Sequence, residues 1–285
     1  MKFSTAILRI LAVFVAVSVA QFLAGALVAL LLPPKEGLPH LAQHFAQWMF
    51  LSNAITIGAL SVLALRSEWR GWTLGAALAG IPLAITLVDG LEGVYFLPHS
   101  PIDWSRIFAQ STLAAVLSVP VWMLLFGRRP APQQDHYHPI ATKSRRERAW
   151  KFVVCDLAYL LLYFTAGSII WPYVKDFYAS QTLPPMPTFL VLELLVRAPA
   201  FIVLCLLLVR MLGLPRLSGA LAAGAVFALL SGVAPLLMPN PYFPDVVRWA
   251  HFCETTSSNF VFAALVAWLW GQPKVVHANA LAQAA

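Results

Sequence analysis

Apolar positions in this chain do not alternate with polar ones; they run. Eight long apolar stretches lie at about 6–32, 42–66, 72–90, 108–126, 151–171, 188–210, 216–237 and 247–270, separated by short polar or proline-bearing joints. At 1.5 Å rise per residue, a helix of each such length crosses a hydrocarbon core of about 30 Å. No water is available there, so backbone N–H and C=O groups must pair within the segment, which a single apolar run can do only as a helix. The pattern predicts an all-α polytopic membrane protein with eight transmembrane helices.

The second four stretches repeat the first four, with an offset of 142 at the start and 144 later. Phe22-Leu23-Ala24-Gly25 matches Phe164-Thr165-Ala166-Gly167. Leu51, Ala54, Leu60, Leu63 and Arg66 match Leu195, Ala198, Leu204, Leu207 and Arg210. Gly75, Ala76, Ala79 and Gly80 match Gly219, Ala220, Ala223 and Gly224, and Phe108, Thr112, Leu125 and Gly127 match Phe252, Thr256, Leu269 and Gly271. Four helices per half is an even number, so both halves enter the membrane in the same direction. The expected architecture is a parallel 4+4 internal repeat. It divides the chain into a first repeat over 1–127, a basic cytoplasmic linker over 128–150, a second repeat over 151–271 and a tail over 272–285. The glycines of the third and seventh stretches predict close backbone approach near the bundle centre.

Composition sharpens this. Only 11% of residues are charged, against about 25% in soluble domains. With a cytoplasmic N-terminus, Lys2, Arg9, Arg66, Arg70, Arg128, Arg129, Lys143, Arg145, Arg146, Arg148, Lys151, Arg210, Arg216 and Lys274 fall inside. Lys35, Arg106, Lys175 and Arg248 fall outside, and Arg197 is within a helix. That bias predicts both termini on the cytoplasmic side of a bacterial-type inner membrane. The net charge of +7 then faces anionic lipid headgroups, the expected partner, rather than nucleic acid. A second copy or a partner subunit is left open.

Lys2, Arg9 and the Ser18-Val19-Ala20 site resemble a signal peptide, but the apolar run continues to Leu32 and has a counterpart in the second half, so it reads as the first helix. Cys155, Cys205 and Cys253 all lie in apolar stretches and predict no disulfide framework. His136 and His138 read as a solvated polar linker rather than a metal site. Tyr95-Phe96-Leu97-Pro98, Trp171-Pro172-Tyr173, Phe177-Tyr178 and Pro241-Tyr242-Phe243-Pro244 read as outer loops contributing an interfacial aromatic belt, with a ligand vestibule as the alternative.

Charges inside apolar stretches carry the functional signal, since a charge in hydrocarbon is costly and is usually kept for a reason. Asp89, Glu92, Glu193, Arg197 and Glu254, with His44 and His251, all map to the outer half of the membrane; Asp156 maps to the inner end of the fifth stretch. Glu193 and Arg197 are four apart and can pair on one helix face; His251 and Glu254, and Asp89 and Glu92, are three apart and share faces. The run Thr255-Thr256-Ser257-Ser258-Asn259 must face protein or water. The equivalents of Glu193, Arg197, His251 and Glu254 in the first half are Met49, Asn53, Ile107 and Gln110, so one half carries the charge. The expected site is an outer-leaflet pocket of the sixth and eighth helices, closed by the third. Its candidate ligand-binding residues are Glu193, Arg197, His251, Glu254, Asp89, Glu92 and Asn259.

Three functional readings compete. In the first, the pocket binds or transports a small solute or ion, with Arg197 holding an anionic group and Glu193, Glu254 and His251 exchanging protons or binding a cation. It predicts that Arg197→Met or Glu254→Gln folds and loses ligand binding. In the second, a membrane-embedded enzyme uses His251 and Glu254 as acid and base or as weak metal ligands. In the third, His44 and His251 hold haem or bind a quinone. The structural alternative is an ion-pair network in a non-catalytic scaffold. The chain has no Walker A run, no Gly-x-Ser-x-Gly elbow and no dinucleotide fingerprint. The sequence names no substrate, reaction or cofactor.

Overall fold

The computed structural model describes residues 3–32, 44–97, 102–127, 143–239 and 243–271. Among them there are eight helices and no strand: α1 Phe3–Leu31, α2 Phe45–Arg66, α3 Gly71–Phe96, α4 Trp104–Phe126, α5 Arg145–Ala179, α6 Met186–Leu212, α7 Arg216–Leu237 and α8 Asp245–Trp270. The first seven are long and apolar enough to cross a membrane, as in a helical membrane protein. The eighth, with Asp245, Arg248, Glu254 and the Thr/Ser run, is of similar length but not among those seven.

Helix α7 is the innermost: 61% of its most apolar window is buried, against 11% for α4. Helix α4 packs against α1 and α3, and α8 packs against α5 and α7. The two groups meet where the C-terminal end of α7 lies on α2, and Ser52 Oγ donates to Ala234 O there at 2.7 Å. One core runs through both, with Leu63, Leu74 and Leu78 on one side and Phe201, Phe227 and Phe262 on the other, all almost fully buried. The expected close approach to another helix's backbone falls on Gly75, Gly224 and Gly232, where a Cβ on Gly232 would stand 2.8 Å from Thr256 Cα of α8. A Cβ on Gly75 would stand 2.7 Å from Val119 O of α4, and one on Gly224 would stand 2.8 Å from Phe260 O of α8. Gly80 meets nothing within 4 Å.

Helix ends differ from the sequence reading in three informative places. Helix α5 begins at Arg145, inside the expected linker, because Ser144 accepts from the Glu147 N–H at 3.1 Å in a Ser-x-x-Glu capping arrangement. Glu147 also pairs with Lys151 at 2.6 Å. The rest of that linker, 128–142, lies outside the described residues, as does the tail from 272. Helix α5 also runs through Pro172 to Ala179, so Trp171, Tyr173, Phe177 and Tyr178 are helical rather than loop residues. Helix α3 likewise continues to Phe96 and holds Asp89 and Glu92 inside it rather than at its end.

Two turns widen to π-helix, at Glu193–Arg197 in α6 and Leu229–Val233 in α7. In each, an alanine N–H reaches back five residues, Ala198 to Glu193 O and Ala234 to Leu229 O. Each alanine is followed by proline, Pro199 or Pro235. Proline has no N–H to donate, and its ring crowds the carbonyl four residues back; a wider turn relieves that contact.

Candidate functional site

The π-turn of α6 carries Arg197 toward α3. Its Nη2 donates to Asp89 Oδ1 at 3.2 Å, its Nη1 is ion-paired with Glu92 Oε2 at 2.5 Å, and Glu193 Oε1 stands 3.7 Å from the same Nη1. The pairing expected within one helix, Glu193 with Arg197, is therefore the longest of the three, and both nearer carboxylates come from another helix. Tyr163 of α5 donates to Glu92 Oε1 at 3.1 Å. The guanidinium also lies over the rings of Tyr159, Tyr163 and Phe201, 5.4–5.9 Å from their centroids. One cation thus faces three carboxylates. Glu193 is 0% exposed, and among the described residues neither of its oxygens has a hydrogen-bond donor.

Helix α8 supplies the second polar group. His251 Nδ1 lies 2.6 Å from Glu254 Oε2, and its Nε2 lies 2.9 Å from the Tyr178 hydroxyl of α5. The rings of Tyr178 and Phe243 flank the imidazole. Two protonation patterns satisfy these bonds. In one, Nδ1–H donates to the Glu254 carboxylate while Tyr178 donates to Nε2; in the other, an imidazolium donates to both oxygens. In either, the carboxylate fixes the ring, and the chain Tyr178–His251–Glu254 can accept or release a proton.

Part of the Thr/Ser run is satisfied by the protein itself, whereas Thr256 Oγ1 is buried with no hydrogen-bond partner among the described residues. Ser257 and Ser258 donate to carbonyls of their own helix, Cys253 O and Glu254 O, at 2.7 Å each. Asn259 Nδ2 donates to Ser231 Oγ at 2.8 Å, and Ser231, in the π-turn of α7, donates to Phe227 O at 2.8 Å.

These groups share one cavity of about 800 Å³. Of the seven expected residues, Asp89, Glu92, Arg197, His251, Glu254 and Asn259 line it, while Glu193 stands behind Arg197. Helix α3 contributes a wall, as expected, and so do α2, α5 and α7. His44 and Asp156 are not in the lining; His44 precedes α2 with φ 66°. Of the aromatic residues assigned to loops, Phe96, Trp171, Tyr178 and Phe243 line the cavity, whereas Tyr173 is exposed.

Sequence reasoning missed Tyr159 and Tyr163, which are four apart, hence on one face of α5, and that spacing was the available signal. It placed Tyr178 in an outer loop of the aromatic belt or vestibule, because the fifth apolar stretch ends at residue 171, whereas Tyr178 is helical. Among the described residues no group of three or more His, Cys, Asp or Glu side chains is placed to hold a metal ion. No protein-family model, curated protein or solved structure matches the chain.

Proposed function

We propose that this chain is an eight-span inner-membrane protein, built as two parallel four-helix repeats with both termini cytoplasmic, whose cavity binds or transports a small solute. The repeat is supported by collinear sequence matches and by a parallel in the packing: α4 lies on α1 and α3 as α8 lies on α5 and α7. The orientation rests on the positive-inside bias. The 128–150 linker then lies against anionic headgroups.

The observation that carries the solute reading is the gathering of six separated ionisable or amide side chains, from α3, α6 and α8, on one cavity of about 800 Å³. Pockets of about 300–1,000 Å³ with a mostly apolar wall and a few convergent polar groups are the usual form of small-molecule sites. The π-turns at Arg197 and Ser231 add support, because such turns often occur at functional sites. The purified chain in lipid nanodiscs, screened against small charged and neutral solutes, is expected to show a ligand that raises the thermal midpoint of wild type and not of Glu254→Gln. No stabilising solute, or equal stabilisation of both proteins, would count against the cavity as the site. Arg197→Met is a poorer probe than the sequence suggested, because Arg197 holds three carboxylates and its loss disturbs the fold as well.

One observation favours a second reading, a membrane-embedded acid–base enzyme: the Tyr178–His251–Glu254 chain, in which a carboxylate orients an imidazole. A His251→Ala variant that still binds the stabilising solute but no longer converts it would establish that reading over simple binding.

A further inference from the structure

Resting on the solute-cavity reading, we infer that the occupant is an organic cation, a monovalent ion with apolar substituents such as an ammonium or phosphonium. Charge balance points there first. Among the described residues that line the cavity, Asp89, Glu92 and Glu254 stand against one permanent cation, Arg197, and one histidine. Excess buried negative charge calls for protons or a bound cation.

The anion-binding face of Arg197 is already taken. Its two terminal nitrogens point at Asp89 and Glu92, so an anionic ligand would have to displace them and leave both carboxylates unpaired. Asp89, 33% exposed, and Glu92, 20% exposed, still present surface on the cavity wall.

The wall and the size then favour an organic ion over a bare one. Tyr159, Tyr163, Phe189, Tyr178 and Phe243 all line the same cavity, with Arg197 already over the rings of Tyr159 and Tyr163. Such faces attract a desolvated cation and also cover its apolar substituents. A bare metal ion would need several close ligands, and no such group is present among the described residues. A volume of about 800 Å³ suits a molecule of many heavy atoms.

The test uses two ions of the same shape and opposite charge, tetraphenylphosphonium and tetraphenylborate. Binding of each is measured to the full chain in nanodiscs, with empty nanodiscs subtracting lipid partition. Saturable binding of the cation alone is expected, weakened about tenfold or more in Glu92→Gln. Asp89→Asn is the second variant, read in place of Glu92→Gln if that protein does not purify as a single species. Saturable binding of the anion, or of both ions equally, would overturn the charge assignment and leave the cavity standing. If neither binds, a Ser258→Cys variant on a Cys253→Ser background separates the two failures. If the thiol introduced on the cavity wall reacts with a small methanethiosulfonate, the cavity is open, and only the cation class falls. An unreactive thiol would remove the solute-cavity reading as well.

Discussion

At the α3–α6 wall of the cavity one guanidinium faces three carboxylates; at the α5–α8 wall one imidazole faces one carboxylate and one hydroxyl. The first cluster is drawn from two helices far apart in sequence, and it carries a permanent charge that cannot be neutralised by losing a proton. The second can shift protons along its own bonds and stay satisfied. The difference teaches that the two groups have different tolerances. Arg197 keeps three acids together and should be hard to replace. His251 is positioned rather than essential to the packing, so its loss should be felt in function before it is felt in the fold.

The sharpest attempt to break this contrast is Arg197→Met. It leaves Asp89, Glu92 and Glu193 without a counter-charge, and removing one partner of a buried ion pair typically loses about 3–5 kcal/mol. The thermal midpoint in detergent should fall steeply. The deficit should shrink as pH is lowered, because protonation removes the charge that has lost its partner. A variant as stable as wild type at neutral pH would show that the cluster does not hold α3 to α6.

Glu254→Gln tests the other wall. It keeps a hydrogen-bonding group beside His251 Nδ1 and removes the charge, so the expected loss is about 1–3 kcal/mol. If Glu254→Gln proves as damaging as Arg197→Met, the two walls are not different in kind.

Glu193→Gln asks whether the first wall is over-supplied with acid. Glu193 is the most distant of the three carboxylates from Arg197 and is fully buried. Replacing its carboxyl should leave stability unchanged or raise it by about 1 kcal/mol, because that buried group has no hydrogen-bond donor among the described residues. A clear drop in the thermal midpoint would mean that all three carboxylates are needed around the guanidinium.

The same contrast explains what was legible in the sequence. The all-helical architecture was, because apolar runs of that length leave few alternatives. The charged and amide members of the cavity wall also stood out, because charges are rare in such runs, although His44 and Asp156 stood out equally and do not line the cavity. The partners were not. Spacing along a helix suggested Glu193 for Arg197, but the closest carboxylate is Glu92, and only the packing of α3 against the π-turn of α6 decides that. Ala198-Pro199 and Ala234-Pro235 were visible as prolines, but a proline specifies a disturbance and not a π-turn. Tyr178 was placed in an outer loop because the apolar run stops before Pro172, and proline normally disrupts a helix, yet α5 continues through it.

Tyr178→Phe is the mildest change and the one that isolates the proton chain. It removes the hydroxyl facing His251 Nε2 and keeps the ring that packs against Phe177 and the imidazole. One lost hydrogen bond of this kind is worth about 0.5–1.5 kcal/mol, so the fold should survive with a small drop in thermal midpoint. The histidine should answer more strongly than the fold. With the hydroxyl gone, Nε2 has one partner fewer, while Glu254 still holds Nδ1. The ring NMR signals of His251 should therefore move. Unmoved ring signals would mean that Tyr178 only fills space beside the ring. The α5–α8 wall would then be a single His–Glu pair, and a proton entering the cavity would have no path through α5.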